Sequence, residues 1–157
     1  MGENIIRKAE KKDAARMLEL LVQVNHVHAV GRPDLFIDGK TKYTQETLGD
    51  VLSDPGRITF VCERDGLVIG YCMCQIEQHT GSAQVNRKEL YIDDLCVDEN
   101  IRKTGAGRAL YDYVKAYAKE QGYYRLTLHV WECNPNARAF YDAMGMKPYM
   151  TAMEDVL

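Results

Sequence analysis

The feature that most constrains the fold is a strand pattern, a glycine-rich turn and a helix pattern that follow directly on one another. Apolar residues dominate Leu90–Val97, which predicts a strand. From Gly105 onward, apolar residues recur at helical spacing until Gly122, a residue type that commonly ends helices. Because a strand and an adjoining amphipathic helix bury their apolar sides against one another, this segment predicts an α/β protein.

Similar patterns on both sides of this segment predict a single domain over residues 1–157, because no linker, repeat or low-complexity stretch divides them. Asp65-Gly66 separates two strand patterns and is typical of a hairpin turn. The predicted order is β-α-α-β-β-β-α-β-α-β. The predicted strands are Asn4–Lys8, Ile58–Glu63, Leu67–Glu77, Leu90–Val97, Arg125–Val130 and a last strand from Met146 onward, and the predicted helices run from Asp13 to Gly31, Thr44 to Leu52, Gly105 to Gly122 and Asn134 to Gly145.

Composition and charge exclude several classes of protein. The net charge of −3 lacks the basic excess of a nucleic-acid binder. No run of 18 apolar residues predicts a membrane span, and the polar N-terminus lacks the apolar core of a signal peptide. The five cysteines form no Cys-x-x-Cys pair and His26 and His28 point in different directions on a helix, so we expect reduced thiols, no metal and a cytoplasmic protein.

The turn between strand and helix has the properties of an anion site. A helix N-terminus leaves backbone N–H groups unpaired and carries partial positive charge. Gly105 and Gly107 allow a ligand to approach the backbone, while Arg102, Lys103 and Arg108 add positive charge. The glycines alone leave a second interpretation open, in which they only shape a tight strand–helix connection.

Two motifs resemble those of the GNAT superfamily of N-acetyltransferases. Arg102–Gly107 reads Arg-Lys-Thr-Gly-Ala-Gly and matches the family's cofactor motif Arg/Gln-x-x-Gly-x-Gly/Ala, and Asp94–Val97 has the form that precedes it. Asn134–Tyr141 reads Asn-Pro-Asn-Ala-Arg-Ala-Phe-Tyr and matches a second family motif. One departure is Lys103, where relatives often carry glycine. The resemblance implies a mixed, mostly antiparallel central sheet flanked by helices.

The resemblance also implies acetyl-CoA as the co-substrate. Its pantetheine arm would lie in an opening between the strands Leu90–Val97 and Arg125–Val130, and its pyrophosphate would lie on the backbone N–H groups of the Arg102–Gly107 turn. Asn134 would hydrogen-bond the pantetheine arm, besides capping a helix. The implied cofactor-binding residues are Leu95, Cys96, Val97, Arg102, Lys103, Thr104, Gly105, Ala106, Gly107, Arg108 and Asn134.

Acetyl transfer to an amine requires a proton acceptor, because a lysine-like ammonium has a pKa of about 10.4 and its neutral form costs roughly 4–5 kcal/mol at pH 7. The departing thiolate then requires a proton donor. The resemblance gives that role to Tyr141, which a helical pattern also allows as an ordinary core aromatic. A backbone N–H at the splayed strand is available to bind the oxyanion.

Asp93 and Asp94 are the candidate proton acceptors. Adjacent residues of a regular strand face opposite sides, so at most one is expected to point into the cleft. Tyr91-Ile92-Asp93-Asp94 resembles the Tyr-Leu-Glu-Asp of polyamine acetyltransferases of the superfamily, which favours Asp93 acting through a bridging water. Asp94 remains the alternative, and Glu77 and Tyr43 are less favoured.

The acceptor is expected to contact the Arg32–Tyr43 and His79–Arg87 segments. Asp34, Phe36 and Asp38 are suited to a cation through charge and an aromatic face, although a solvated loop is an equal interpretation. The acceptor stays open among polyamines and other small amines, peptide or protein amines and aminoglycosides.

Two further interpretations depend on the family resemblance. One alternative to an enzyme is a catalytically inactive module that senses acetyl-CoA. A homodimer joined through the C-terminal strand is expected from the habit of the family alone.

Overall fold

A computed structural model of the chain describes residues 2–157. It contains five strands and four helices in nearly the predicted order, joined by short 3₁₀ turns at Lys11–Asp13 and Glu99–Ile101. The strands are β1 (Ile5–Lys8), β2 (Arg57–Arg64), β3 (Leu67–His79), β4 (Arg87–Val97) and β5 (Leu126–Leu128), and the helices are α1 (Ala14–Gly31), α2 (Gln45–Ser53), α3 (Ala106–Glu120) and α4 (Pro135–Ala143).

The last predicted strand is wrong, because residues 146–157 form no strand. β5 is only three residues long and offers the tail little backbone to pair with. Side chains hold the tail instead: Arg32 Nη2 contacts Glu154 Oε2 at 3.0 Å, and the Arg125 guanidinium lies 4.4 Å from the Tyr149 ring centroid.

The sheet is mixed and mostly antiparallel, as predicted, with its strands in the order β1-β2-β3-β4-β5. β1 to β4 pair antiparallel. A hairpin joins β2 to β3 and a short loop joins β3 to β4, whereas the chain reaches β2 from β1 through α1 and α2. β4 and β5 pair parallel, because the α3 crossover returns the chain to the same end of the sheet.

Helices cover both faces of the sheet. Met17 and Leu20 of α1 pack with Val61 and Tyr71 on one face. Leu110 and Val114 of α3 pack on the other face, with the buried residues Phe60, Cys72, Leu90 and Ile92. Phe60 and Val61, which are adjacent in β2, therefore belong to cores on opposite faces of the sheet, because successive side chains of a strand alternate between its two faces.

Local sequence signals set several of the boundaries. The hairpin after β2 is built on two residues with positive φ, Asp65 at 51° and Gly66 at 77°. Thr44 Oγ1 accepts a hydrogen bond from the Thr47 N–H and caps α2. Asn134 caps α4 in the same way, and Pro135 occupies the first helical position, where its missing N–H is not needed.

Candidate active site

A cleft opens where β4 and β5 separate. The two strands pair only from Leu90 to Ile92 on β4, whereas β4 itself continues to Val97. Residues 93–97 therefore have no strand partner on the β5 side, and their backbone groups on that side face the opening. This is the separation that the sequence resemblance implied.

The cleft encloses about 1190 Å³ and brings together most of the predicted site residues. Thr104 is the exception, because it does not line the cleft. Its hydroxyl donates to the Ile101 carbonyl at 2.7 Å and contacts Arg64 Nη2 at 3.2 Å, so it stabilises the turn from behind. The predicted residues that line the cleft are Asp93, Asp94, Leu95, Cys96, Val97, Arg102, Lys103, Gly105, Ala106, Gly107, Arg108, Asn134 and Tyr141.

The glycine-rich turn presents the N-terminus of α3 to the cleft. Gly105 is the N-cap residue, with a φ of 86°, and it has no side chain to occupy the N–H groups of the first turn. A Cβ atom at Gly107 would lie 3.3 Å from Phe140 Cε2, so this glycine also permits α3 to pack on α4. Lys103 has a φ of 64°, a conformation that glycine adopts with less strain.

Asp93 and Asp94 lie on the same side of the sheet, which corrects the expectation that they face opposite sides. Ile92 pairs with Cys74 and Asp94 with Met73, so Asp93 is an extra residue on β4. This β-bulge breaks the alternation of side chains.

Contacts on both faces of β4 support the placement of Asp93 and Asp94 on the same side of the sheet. Ile92 and Leu95, three residues apart, pack into the same core beneath α3. Both carboxylates contact residues on the α1 side of the sheet, where Asp93 meets Lys42 and Asp94 meets Tyr71.

Asp94 is the carboxyl group with the more unusual environment. Its Oδ2 accepts a hydrogen bond from the Tyr71 hydroxyl at 2.6 Å. Burial raises the pKa of Asp94 to about 6, although the Tyr71 hydrogen bond and the charge of Lys42 act in the opposite direction. A carboxyl group with this pKa accepts protons near neutral pH more readily than an ordinary aspartate.

Asp93 is bound by a cation within the protein. Its Oδ2 contacts Lys42 Nζ at 2.8 Å, and Lys42 also lines the cleft. Lys42 comes from the loop between α1 and α2, so this ion pair joins that loop to the bulge of β4. A cationic acceptor that binds Asp93 therefore competes with Lys42.

Tyr141 faces the cleft from α4 and packs against the core beneath α3. Burial, and to a lesser degree the neighbouring Cys72 and Asp94, raises the pKa of Tyr141 above its ordinary value. The phenol is therefore protonated throughout the neutral pH range. Asn134 Oδ1 accepts from the Ala137 N–H at 3.1 Å, which confirms its capping role.

The end of the cleft beyond Asp93 carries aromatic side chains. Phe36 lines it as predicted, together with His28 and Trp131. Asp34 and Asp38 do not line it, because Asp34 binds Arg32 and Asp38 binds His26 outside the cleft.

Sequence reasoning missed His28 and Trp131, and it did not single out Lys42 within the predicted acceptor segment Arg32–Tyr43. They come from three separate segments, and no spacing within one segment signals their convergence. Glu77 and Tyr43, the less favoured proton acceptors, do not line the cleft.

The family model described as the acetyltransferase (GNAT) family matches residues 21–146. The chain belongs to the GNAT family. Members of this family use acetyl-CoA. The match includes the glycine-rich turn, both aspartates and the Asn134–Tyr141 segment.

Relatives of this GNAT protein include two uncharacterized bacterial N-acetyltransferases. YhfO of Bacillus subtilis (strain 168) is 28% identical over 141 residues, which are 89% of this chain and 87% of YhfO. An N-acetyltransferase in the pepI 3' region of Lactobacillus delbrueckii subsp. lactis is 26% identical over 102 residues, which are 65% of this chain but only 58% of the relative.

A solved structure shares the fold over almost the whole chain. A mutant of the BH1408 protein from Bacillus halodurans superposes with a TM-score of 0.93 at 28% identity, covering 98% of this chain and 99% of that chain. Among residues 2–157, no helix of this GNAT protein is long and apolar enough to cross a membrane.

A second polar cluster of this GNAT protein lies away from the cleft. Ligand atoms of Glu77, His79 and Glu89 lie within 4.8 Å of one another, a spacing that a metal ion can use. Arg125 Nε, however, binds Glu89 Oε1 at 2.8 Å, and Arg87 binds the same oxygen. The guanidinium groups neutralise the one buried carboxylate, and we assign the cluster a structural role.

Proposed function

We propose that this chain transfers the acetyl group of acetyl-CoA to a primary amine. One observation carries the proposal: a single cleft joins an open helix N-terminus, flanked by cationic side chains, to a carboxylate pair and a partly buried tyrosine. The first part is suited to a pyrophosphate and the second to proton transfer around a thioester.

The cofactor would lie along β4 and end at α3. Backbone N–H groups at the start of α3 would bind the pyrophosphate, with Arg102, Lys103 and Arg108 adding positive charge. The unpaired backbone of Leu95–Val97 would hydrogen-bond the pantetheine arm, as a second strand would. The Asn134 amide nitrogen is suited to the same arm, because its oxygen is engaged in the helix cap.

Asp94 is the proton acceptor that the geometry favours over Asp93. The amine nitrogen attacks the thioester carbonyl carbon and gives up a proton to Asp94, directly or through water. Raising the pKa of Asp94 from 3.8 to about 6 makes this transfer easier by about 3 kcal/mol than it would be to an ordinary aspartate. Asp93, beside Lys42, would instead orient the acceptor.

Tyr141 would complete the reaction by protonating the leaving group. The developing oxyanion would accept a hydrogen bond from a backbone N–H of the splayed residues 93–97. When the carbon–sulfur bond breaks, the CoA thiolate takes the Tyr141 proton. Burial raises the pKa of Tyr141, so the phenol is protonated and available as the donor when the thiolate forms.

The experiment is a thiol-release assay with acetyl-CoA and a panel of primary amines. Tyr141→Phe should lower kcat by about 10²–10⁴-fold while CoA affinity, measured by calorimetry, stays within a few-fold. Tyr124→Phe is the matched control, because Tyr124 is 72% exposed and lies outside the cleft. CoA binding without thiol release from any amine would favour the sensor module over the enzyme.

The pH dependence of kcat/KM separates the two aspartates. With Asp94 as the acceptor, kcat/KM should fall as pH drops below about 6, because the carboxylate of the free enzyme becomes protonated. Asp94→Asn should abolish most activity at every pH, whereas Asp93→Asn should chiefly raise the KM of the amine. The exposed Asp112→Asn on α3 serves as the control, and the opposite pattern would return the role of acceptor to Asp93.

A further inference from the structure

Three aromatic rings from distant parts of the chain meet at the end of the cleft beyond Asp93, which we call the acceptor end. His28 belongs to α1, Phe36 to the following loop, and Trp131 to the segment after β5. The Phe36 ring centroid lies 5.0 Å from that of His28 and 5.3 Å from that of Trp131, and the Trp131 contact is edge-to-face. We call these three side chains the aromatic wall.

The aromatic wall is positioned by the backbone but is not buried in a core. Trp131 is 41% exposed, and all three rings line the cleft. The Phe36 N–H donates to the Arg32 carbonyl at 3.0 Å, which fixes the loop at the end of α1. A Cβ atom at Gly31 would lie 2.6 Å from Cys133 Cβ, so the glycine lets α1 approach the segment that carries Trp131.

The aromatic wall is uncharged near neutral pH. Burial, together with the positive charge of Lys42, lowers the pKa of His28, which keeps the imidazole neutral. Lys42 also contacts Asp93, so the same ammonium acts on both the aromatic wall and the carboxylate pair.

The acceptor end has too few carboxylates to bind a ligand that carries several positive charges. Within residues 2–157, Asp93 and Asp94 are the carboxylates that line the cleft, and Lys42 already binds Asp93. Tyr71 hydrogen-bonds Asp94, whose role as proton acceptor involves one amine at a time. A ligand with several ammonium groups would leave most of them without a carboxylate partner in the cleft.

We propose that the aromatic wall is the acceptor-binding surface and that the acceptor is a primary amine with one flat, apolar substituent. The substituent would stack on or meet the edges of Phe36 and Trp131, while its single amine reaches Asp93 and Asp94. This inference rests on the proposed function, because it names the acceptor of the same cleft.

The binding test uses Trp131, which is the only tryptophan in the chain. With CoA present, titration with 2-phenylethylamine should change the tryptophan fluorescence saturably. Spermidine over the same concentrations should bind at least tenfold more weakly. 2-Cyclohexylethylamine, which has the same carbon skeleton without a flat ring, should also bind more weakly. Tighter binding of spermidine than of 2-phenylethylamine would overturn the proposal.

Variants locate the binding surface. Phe36→Leu should weaken 2-phenylethylamine binding by roughly tenfold, because it removes a ring while keeping an apolar side chain. Trp131→Leu should do the same when binding is measured by calorimetry. Tyr124→Leu removes an exposed ring outside the cleft and should leave the affinity unchanged. An unchanged Kd in both wall variants would contradict the assignment.

Binding and turnover separate this inference from the proposed function. Saturable binding of 2-phenylethylamine, without thiol release from it or from any other amine of the panel, would retain the aromatic wall and reject the transferase activity. Thiol release with spermidine, and none with 2-phenylethylamine, would retain the activity and reject the aromatic wall. Release with 2-phenylethylamine, at a KM that rises in Phe36→Leu, would support both.

Discussion

The environment of Asp94 lowers the stability of the folded protein at neutral pH, and it also makes the carboxylate a better proton acceptor. Its pKa is raised to about 6 because the folded protein partly removes the carboxylate from water. The folded state therefore binds the Asp94 proton more tightly than the unfolded state does. The contribution of this group to stability rises as pH falls from about 6 towards 4, and its penalty is fully present at pH 7.

Asp94→Asn should therefore raise the free energy of unfolding at pH 7 by up to about 3 kcal/mol, because the neutral amide has no charge to desolvate. The Asn oxygen can still accept the Tyr71 hydrogen bond. Urea denaturation at pH 7 and pH 4 measures this effect, and the gain should shrink at pH 4. An equal gain at both pH values would show that ionisation of Asp94 is not its cause.

At the scale of the element, the bulge of β4 and the end of α1 shape the site. The bulge places two adjacent carboxylates on one face of the sheet, which a regular strand does not allow. Gly31, the last residue of α1, permits the close approach to Cys133 that brings His28 towards Trp131.

Gly31→Ala should destabilise the protein by about 1–3 kcal/mol, because the new methyl group would overlap the Cys133 side chain. It should also change the tryptophan fluorescence, since Trp131 lies two residues before Cys133. Gly49→Ala is the matched control: Gly49 lies in α2 with open space for a methyl group, and alanine there should stabilise the helix by about 0.5–1 kcal/mol. Equal effects of the two substitutions in urea denaturation would contradict this account of Gly31.

At the scale of the whole molecule, the cofactor should stabilise the fold by binding several elements at once along the cleft. β4, α3 and α4 all contribute lining residues, and β4 and β5 pair over only three residues. The homodimer expected from the habit of the family stays a prediction, but the C-terminal strand expected to join it is not formed.

CoA at a hundred times its Kd should stabilise the native state by about 2.7 kcal/mol and raise Tm by roughly 5–10 °C. Gly105→Val should remove this shift, because a β-branched residue at a φ of 86° distorts the turn that opens the α3 N-terminus. Gly66→Val carries a similar backbone strain at a φ of 77° in a hairpin outside the cleft, and it should keep the shift. Differential scanning fluorimetry compares the two, and a CoA shift retained by Gly105→Val would reject the turn as the pyrophosphate site.

The sequence alone determined the features that arise from neighbouring residues. Helical and strand periods, the Asp65-Gly66 turn and the Asn134-Pro135 helix start depend on local backbone preferences, so the element order was predictable up to Met146. The glycine-rich turn at the start of α3 was also predictable, because it depends on local glycines and a local helical pattern, whereas its binding of a pyrophosphate stays a prediction.

Tertiary structure decided what depends on pairing between distant segments. The side on which Asp93 and Asp94 lie follows from the register of β4 against β3, and a single extra residue reverses it. The aromatic wall requires α1, the loop after it and the segment after β5 to meet. The sequence predicted that Phe36 contacts the acceptor but not that Phe36 lies beside His28 and Trp131, because a local repeat of apolar residues does not report which distant residues a side chain meets.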